Sequence, residues 1–339
     1  MRPLTSLEIC AGAGGQALGL EQAGFQHIAA VEIDPWACET LRTNRPNWNV
    51  VGPKVADRPP HDGGPGDVRA FSASRLAGKI DLLAGGVPCP PFSVAGKQLG
   101  GDDERDLFPE ALRLTRECVP EAVMLENVRG MKDPKFDDYR SRIINELHDI
   151  GYETWWELIH SSDFGVPQLR PRMILVALRP SVAEHFEWPA STAEPPTVGE
   201  VLADLMAERG WEGASHWVSA ASAIAPTLVG GSKKHGGPDL GPTRAKKAWA
   251  ELGVDGRGIA DEAPSPGFVG MPRLTVRMAA RIQGFPDDWS FAGGKTAQYR
   301  QVGNAFPPPV AKAIGEKIYQ AISASKDTEA NVTFDSVAA

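Results

Sequence analysis

Short apolar runs of β type alternate with helix-type segments through the first third of the chain, and this alternation constrains the fold more than any other feature. Leu7 to Cys10 reads as a strand, Gln16 to Ala23 as a helix, Ile28 to Glu32 as a second strand and Trp36 to Asn44 as a second helix. Strands separated by helices predict an α/β fold with a parallel sheet and right-handed crossovers. Asp81 to Gly85 and Ala122 to Leu125 read as two more buried strands, with a Pro/Gly-rich loop from Gly52 to Gly66 before them. Each of the two delivers polar residues, Gly86-Val-Pro-Cys89 and Glu126-Asn127-Val128, to a strand carboxyl end, where open α/β sheets bind ligands.

The 339 residues suggest two domains, at roughly 150 residues per domain. Thr154 to Ile159 and Met173 to Leu178 read as a late hairpin, and the composition then shifts to Gly, Pro, Ser and Trp, with short helical patches such as Val198 to Arg209. Helical periodicity returns at Leu274 to Ile282 and Val310 to Ile322. The expected organisation is a first domain of residues 1–180 plus 272–322, a second, smaller loop-rich domain at 181–271, and a disordered tail at 323–339.

Composition narrows the class. No apolar run approaches the ~20 residues that cross a bilayer, and the first residues lack the flanks of a secretory signal, so the expectation is a soluble cytoplasmic protein with no membrane contact. Cys10, Cys38, Cys89 and Cys118 lie too far apart for a zinc site or a disulfide framework, and no metal is expected. A net charge of −8 argues against gripping nucleic acid by bulk charge. Locally the balance reverses: Lys233, Lys234, Arg244, Lys246 and Lys247 face the single anion Asp239 between Pro226 and Lys247.

Cys10-Ala11-Gly12-Ala13-Gly14-Gly15 joins the first strand to its helix, and glycines there let the backbone approach a ligand closely. Alone, such a turn fits a ligand-free connection equally well. Glu32-Ile33-Asp34, about twenty residues on, adds an acid able to accept hydrogen bonds from a ribose. The third glycine of the dinucleotide fingerprint is missing, so a nucleoside without a pyrophosphate fits better than NAD, and S-adenosylmethionine leads, with Asp67 and Val68 toward its adenine. Pro88-Cys89-Pro90-Pro91 holds a thiol in a stiff loop, as a nucleophile requires, although a lone thiol is usually a buried structural one. Glu126 is brought to the same sheet edge, where a raised pKa would let it share a proton. Gln168-Leu-Arg170-Pro-Arg172 sets two guanidiniums two residues apart, suited to phosphate or a base edge, or merely to solvent.

These blocks, with Arg105-Asp-Leu-Phe108, the Arg273 to Asp287 stretch and Gln301-Val-Gly-Asn304-Ala305-Phe-Pro-Pro308, resemble in kind and order the DNA cytosine-5 methyltransferase family. The resemblance spans nearly the whole chain outside about 180 to 270. It implies a Rossmann-like S-adenosylmethionine-dependent fold and a target cytosine flipped out of duplex DNA. Cys89 would add to cytosine C6, Glu126 would meet the N3 and N4 edge, and Arg172 would meet O2 with Arg170 supporting the Cys89 loop or a phosphate, the two arginines being exchangeable. Cys10 to Gly15, Glu32, Ile33, Asp67, Val68, Pro88, Asn304 and Ala305 would bind the cofactor. Gln168, Thr227, Leu228, Lys233, Lys234 and Arg244 would contact DNA, with 181–271 recognising its sequence. Cys10 stands where the family usually has Phe. A monomer at the nucleoid is implied, with a cognate restriction endonuclease that acts on the same site without a stable complex. Three rivals remain at this point: a tRNA cytosine-5 methyltransferase, a catalytically silent member, and a Rossmann oxidoreductase that explains nothing after residue 40.

Overall fold

The computed structural model describes residues 2–57, 63–88, 106–191, 194–231 and 238–337. The first half runs β1 (Thr5–Ile9), α1 (Gly15–Gln22), β2 (Gln26–Val31), α2 (Pro35–Asn44), β3 (Val50–Val51), β4 (Leu82–Gly85), α3 (Phe108–Cys118), β5 (Ala122–Val128), α4 (Asp137–Asp149), β6 (Glu153–His160) and β7 (Pro171–Leu178). These strands form a seven-stranded sheet in the order β3-β2-β1-β4-β5-β7-β6. Strands β1 to β5 pair in parallel; β7 runs antiparallel to β5, and β6 antiparallel to β7.

Buried strands read as continuous apolar runs because helices cover both faces of a parallel sheet. Leu7 and Ile9 of β1 face Phe108 and Leu112 of α3, while Leu82 and Ala84 of β4 belong to the opposite core with Leu20 of α1. The chain leaves β1 toward β2 on one side and returns through β4 on the other, so the carboxyl ends of β1 and β4 form a topological switch point.

The second half comprises α5 (Pro180–Ala183), α6 (Val198–Ala207), α7 (Ala214–Ala220), α8 (Thr243–Glu251), α9 (Val276–Ile282), α10 (Lys295–Asn304) and α11 (Pro308–Val337). Leu202 of α6, Trp217 of α7 and Trp249 of α8 share one hydrophobic core with Met278 of α9, Tyr299 of α10, and Leu18 and Leu41 of α1 and α2. The loop-rich segment is thus packed on the sheet domain's own helices. Two local readings change. The Gly52 to Gly66 stretch is preceded by β3, whose two residues pair with Ala30 and Val31. The tail expected to be disordered from Ser323 continues α11 as helix to Val337, anchored where Lys326 meets the buried Asp81 at 2.6 Å. Among the described residues, no helix is long and apolar enough to cross a membrane.

Candidate active site

The site begins where β1 ends. Cys10 adopts φ 50° and Gly12 φ 55°, turning the backbone so that the Gly12 N–H donates to Glu32 Oε2 at 2.7 Å. Glu32 Oε1 accepts from the Asp34 N–H, also at 2.7 Å, so one carboxylate stitches the turn after β1 to the turn after β2. Burial raises the pKa of Glu32 against the lowering by these N–H donors. Gly14, at φ 86°, precedes α1, whose N-terminus takes no side-chain cap hydrogen bond among the described residues. Asp34 caps α2 through the Trp36 and Ala37 N–H groups.

Asp67 sits on the next loop with its Oδ2 accepting from Gly63 N–H at 2.7 Å and its Oδ1 from the Arg69 N–H and guanidinium at 3.0 Å. Burial would raise its pKa, but Arg69 and the Gly63 N–H outweigh it and hold the group below the usual carboxylate value. Around these residues lies a cavity of about 710 Å³, within the ~300–1,000 Å³ of small-molecule sites. Every residue expected to bind a cofactor lines it except Gly14, whose place is beneath, toward Leu41 and Trp289.

Glu126, near the end of β5, lines the same cavity. Its Oε1 meets Arg172 Nε at 2.5 Å, and both side chains are 13% exposed. Asn127 donates from Nδ2 to the Val87 carbonyl at 3.0 Å, tying this strand end to the Pro88 turn. Cys89 lies outside the described residues, as does Arg105. The residues flanking them are joined, with Leu107 N–H donating to the Pro88 carbonyl at 3.1 Å, and both line the cavity.

Several expectations are corrected by burial. Arg170 is fully enclosed and donates from Nη1 to the Leu228 carbonyl at 2.8 Å and from Nη2 to the Gly303 carbonyl at 3.0 Å, so it is an internal strut that meets no phosphate. Its role is therefore not exchangeable with that of Arg172. Gln168, expected at DNA, is buried between Gln283 Oε1 and the Leu228 N–H, each at 2.7 Å. Leu228 is buried with it, and the Thr227 hydroxyl donates inward to the Leu169 carbonyl. Arg244 is exposed on α8, whereas Lys233 and Lys234 lie outside the described residues.

The sequence reading missed Arg300, Gln301 and Phe306 in the cavity wall. A signal existed for Arg300: it precedes Asn304 by four residues and so shares its face of α10. Gln16 also lines the cavity, and its buried Nε2 has no hydrogen-bond partner among the described residues.

The chain matches the C-5 cytosine-specific DNA methylase family over residues 4–320. It is 57% identical over 326 residues to the type II methyltransferase M.NaeI of Lentzea aerocolonigenes, covering 95% of this chain and 76% of that one. It is 56% identical over 322 residues to the type II methyltransferase M.NgoMIV of Neisseria gonorrhoeae, covering 94% and 98%. Among solved structures, a prophage-encoded DNA modification methyltransferase of E. coli superposes with a TM-score of 0.65 at 24% identity, over 94% of this chain and 99% of that one. The S. pombe Dnmt2 methyltransferase superposes with a TM-score of 0.60 at 17% identity, over 95% and 99%. The architecture is the Rossmann-like fold of these methyltransferases.

Proposed function

The chain belongs to the C-5 cytosine-specific DNA methylase family, and from that premise we propose that it methylates C5 of a cytosine in duplex DNA as a type II modification enzyme. The observation that carries the reading is the shared cavity: Glu126 and the Pro88 turn open onto the same space as Glu32, Asp67 and Asn304.

The residues present fit S-adenosylmethionine. Glu32 and Asp67 retain acceptor lone pairs suited to ribose hydroxyls and an adenine amino group. The unpartnered Gln16 amide adds a buried donor. Bound there, the cofactor supplies an electrophilic methyl group close to a base held at Glu126.

The protein's own groups prepare that base. Extruding a cytosine from the stack costs a few kcal/mol, met by contacts to its Watson–Crick edge. Cys89 as thiolate bonds to C6 while the C5=C6 electron pair shifts to C5. Glu126 hydrogen-bonds N3 and the N4 amino group, sharing the N3 proton as negative charge develops. Arg172, two residues beyond the strut Arg170, keeps Glu126 oriented and donates to O2. Loss of the C5 proton restores the double bond and expels the thiolate.

The enzyme acts as a monomer in the cytoplasm at the nucleoid, sharing its site with a restriction endonuclease without a stable complex. The test is transfer of labelled methyl groups to unmethylated genomic DNA and, in parallel, to total tRNA, with Cys89→Ser beside the wild type. Label in DNA that the variant loses is the expected result, and bisulfite sequencing then locates the site. Label in tRNA alone, or in neither, would overturn the reading.

A further inference from the structure

The Arg273 to Asp287 stretch carries part of the family resemblance, yet among the described residues it gives the cavity wall none. It runs instead beneath the turn that follows β1. A Cβ on Gly15 would stand 3.1 Å from Phe285 Cζ, and one on Gly14 would stand 3.0 Å from Cζ2 of Trp289, two residues beyond that stretch. Trp289 is 5% exposed, and its indole Nε1 donates to the Ala13 carbonyl at 3.2 Å, across 276 positions of sequence. Ala13 and Gly15 line the cavity whereas the indole does not, so it bears on the cavity wall from behind.

The indole is fixed independently of the turn. Its ring lies 6.0 Å from that of Phe285 and 6.3 Å from that of Trp48, and the Arg45 guanidinium stands 5.1 Å from its centroid while bonded to Glu21 at 2.8 Å. The chain after it is bolted to α2: Ser290 N–H donates to Asn44 Oδ1 at 2.8 Å, Asn44 Nδ2 returns a bond to the Ser290 carbonyl at 2.7 Å, and Ala292 N–H donates to Thr40 Oγ1 at 2.8 Å. The turn needs such a support. Cys10, Gly12 and Gly14 all have positive φ, and a non-glycine residue there persists only where its surroundings over-determine it. Glu32 holds the Gly12 N–H, and Trp289 holds the Ala13 carbonyl. We propose that Trp289 is a positioning residue for the methyl donor: its N–H fixes the Ala13 carbonyl and its ring carries Gly14, so that Ala13 to Gly15 meet the cofactor in one conformation. The proposal rests on the cofactor assignment within the DNA-methylation reading. It sets Trp289 apart from Trp249, which is fully buried in the same hydrophobic core but whose Nε1 has no hydrogen-bond partner among the described residues.

The experiment compares Trp289→Phe with Trp249→Phe. Each keeps an aromatic ring in the same core, but only the first removes an N–H that bonds the turn. Calorimetry with S-adenosylhomocysteine, the cofactor less its methyl group, should give an affinity about 3–10-fold weaker for Trp289→Phe, the range of one net hydrogen bond, and within about twofold of the wild type for Trp249→Phe. Hydrogen exchange on the wild type supplies a check independent of either variant's folding: S-adenosylhomocysteine should slow exchange of the Trp289, Ser290 and Ala292 amides, which lie behind the cavity wall. Unaltered exchange there, wild-type affinity in a folded Trp289→Phe protein, or an equal loss in Trp249→Phe overturns the positioning role while leaving the reading intact. Failure of the wild type to bind S-adenosylhomocysteine or S-adenosylmethionine overturns the reading and the proposal together.

Discussion

Glu8 lies on β1 between Ala30 of β2 and Ala84 of β4, fully enclosed, with neither carboxylate oxygen hydrogen-bonded among the described residues. Burial pushes it up to about 8 from 4.5. The unfolded chain releases this proton near pH 4.5 and the folded chain only near pH 8, so the folded state binds more protons between them and stability falls as pH rises through that window. At its steepest the loss is about 1.4 kcal/mol per pH unit. Glu8→Gln should flatten that slope and raise the urea midpoint of the ligand-free protein at pH 8; an unchanged slope would show the carboxyl is not its source. Cys38 and Cys118, both buried and pushed up to about 12 by burial, should resist iodoacetamide at pH 8 until the chain unfolds, as mass spectrometry would show. The glycines and acids read at strand ends line one cavity because the sheet sets the carboxyl ends of β1, β2, β4 and β5 at one edge. Side-chain type failed at Gln168 and Arg170, whose polar groups satisfy backbone inside the fold, since a polar residue's sequence neighbours do not reveal whether its partner is protein or ligand.

Among the elements, α1 and α11 cross closely over one face of the sheet. A Cβ on Gly315 would stand 2.7 Å from Leu20 Cδ2 and 3.0 Å from Ala23 Cβ. Gly315→Val should therefore cost about 1–3 kcal/mol by overpacking, read as a lower urea midpoint. Because α1 begins beside the cavity at Gly15 and α11 follows directly from Phe306, also in its wall, the same change should weaken S-adenosylhomocysteine binding in calorimetry. Loss of stability with binding unchanged would show that the crossing does not shape the cavity. The strands β1, β2, β4 and β5 were legible because sheets buried on both faces demand unbroken apolar runs ending at Gly or at polar chemistry. β3 was not, since two residues carry no period, and neither was the α11 extension, whose small polar residues resemble a tail until Lys326 finds Asp81. The short helices α7 and α8 were lost among the Gly and Pro around them.

On the scale of the whole molecule, a chain of net charge −8 must bind a polyanion through a local field. Lys246 is already engaged with Asp239 at 2.7 Å, so the phosphate contacts that the sequence leads one to expect of this run fall to its other cations, Lys233, Lys234, Arg244 and Lys247. Arg244 and Lys247 are both exposed on α8. Each neutralised phosphate contributes about −0.9 to the slope of log affinity against log salt, so four contacts imply a slope of about −3 to −4. That is shallow for a DNA-binding protein, in keeping with a net charge of −8. Replacing Arg244 and Lys247 together by Ala should reduce the slope by about 2 across all sequences, while leaving S-adenosylhomocysteine affinity in the absence of DNA unchanged. Fluorescence anisotropy over a potassium chloride series measures it. A slope that survives the double replacement would place the DNA backbone on another face, and with it the orientation of the whole 181–271 segment toward the duplex.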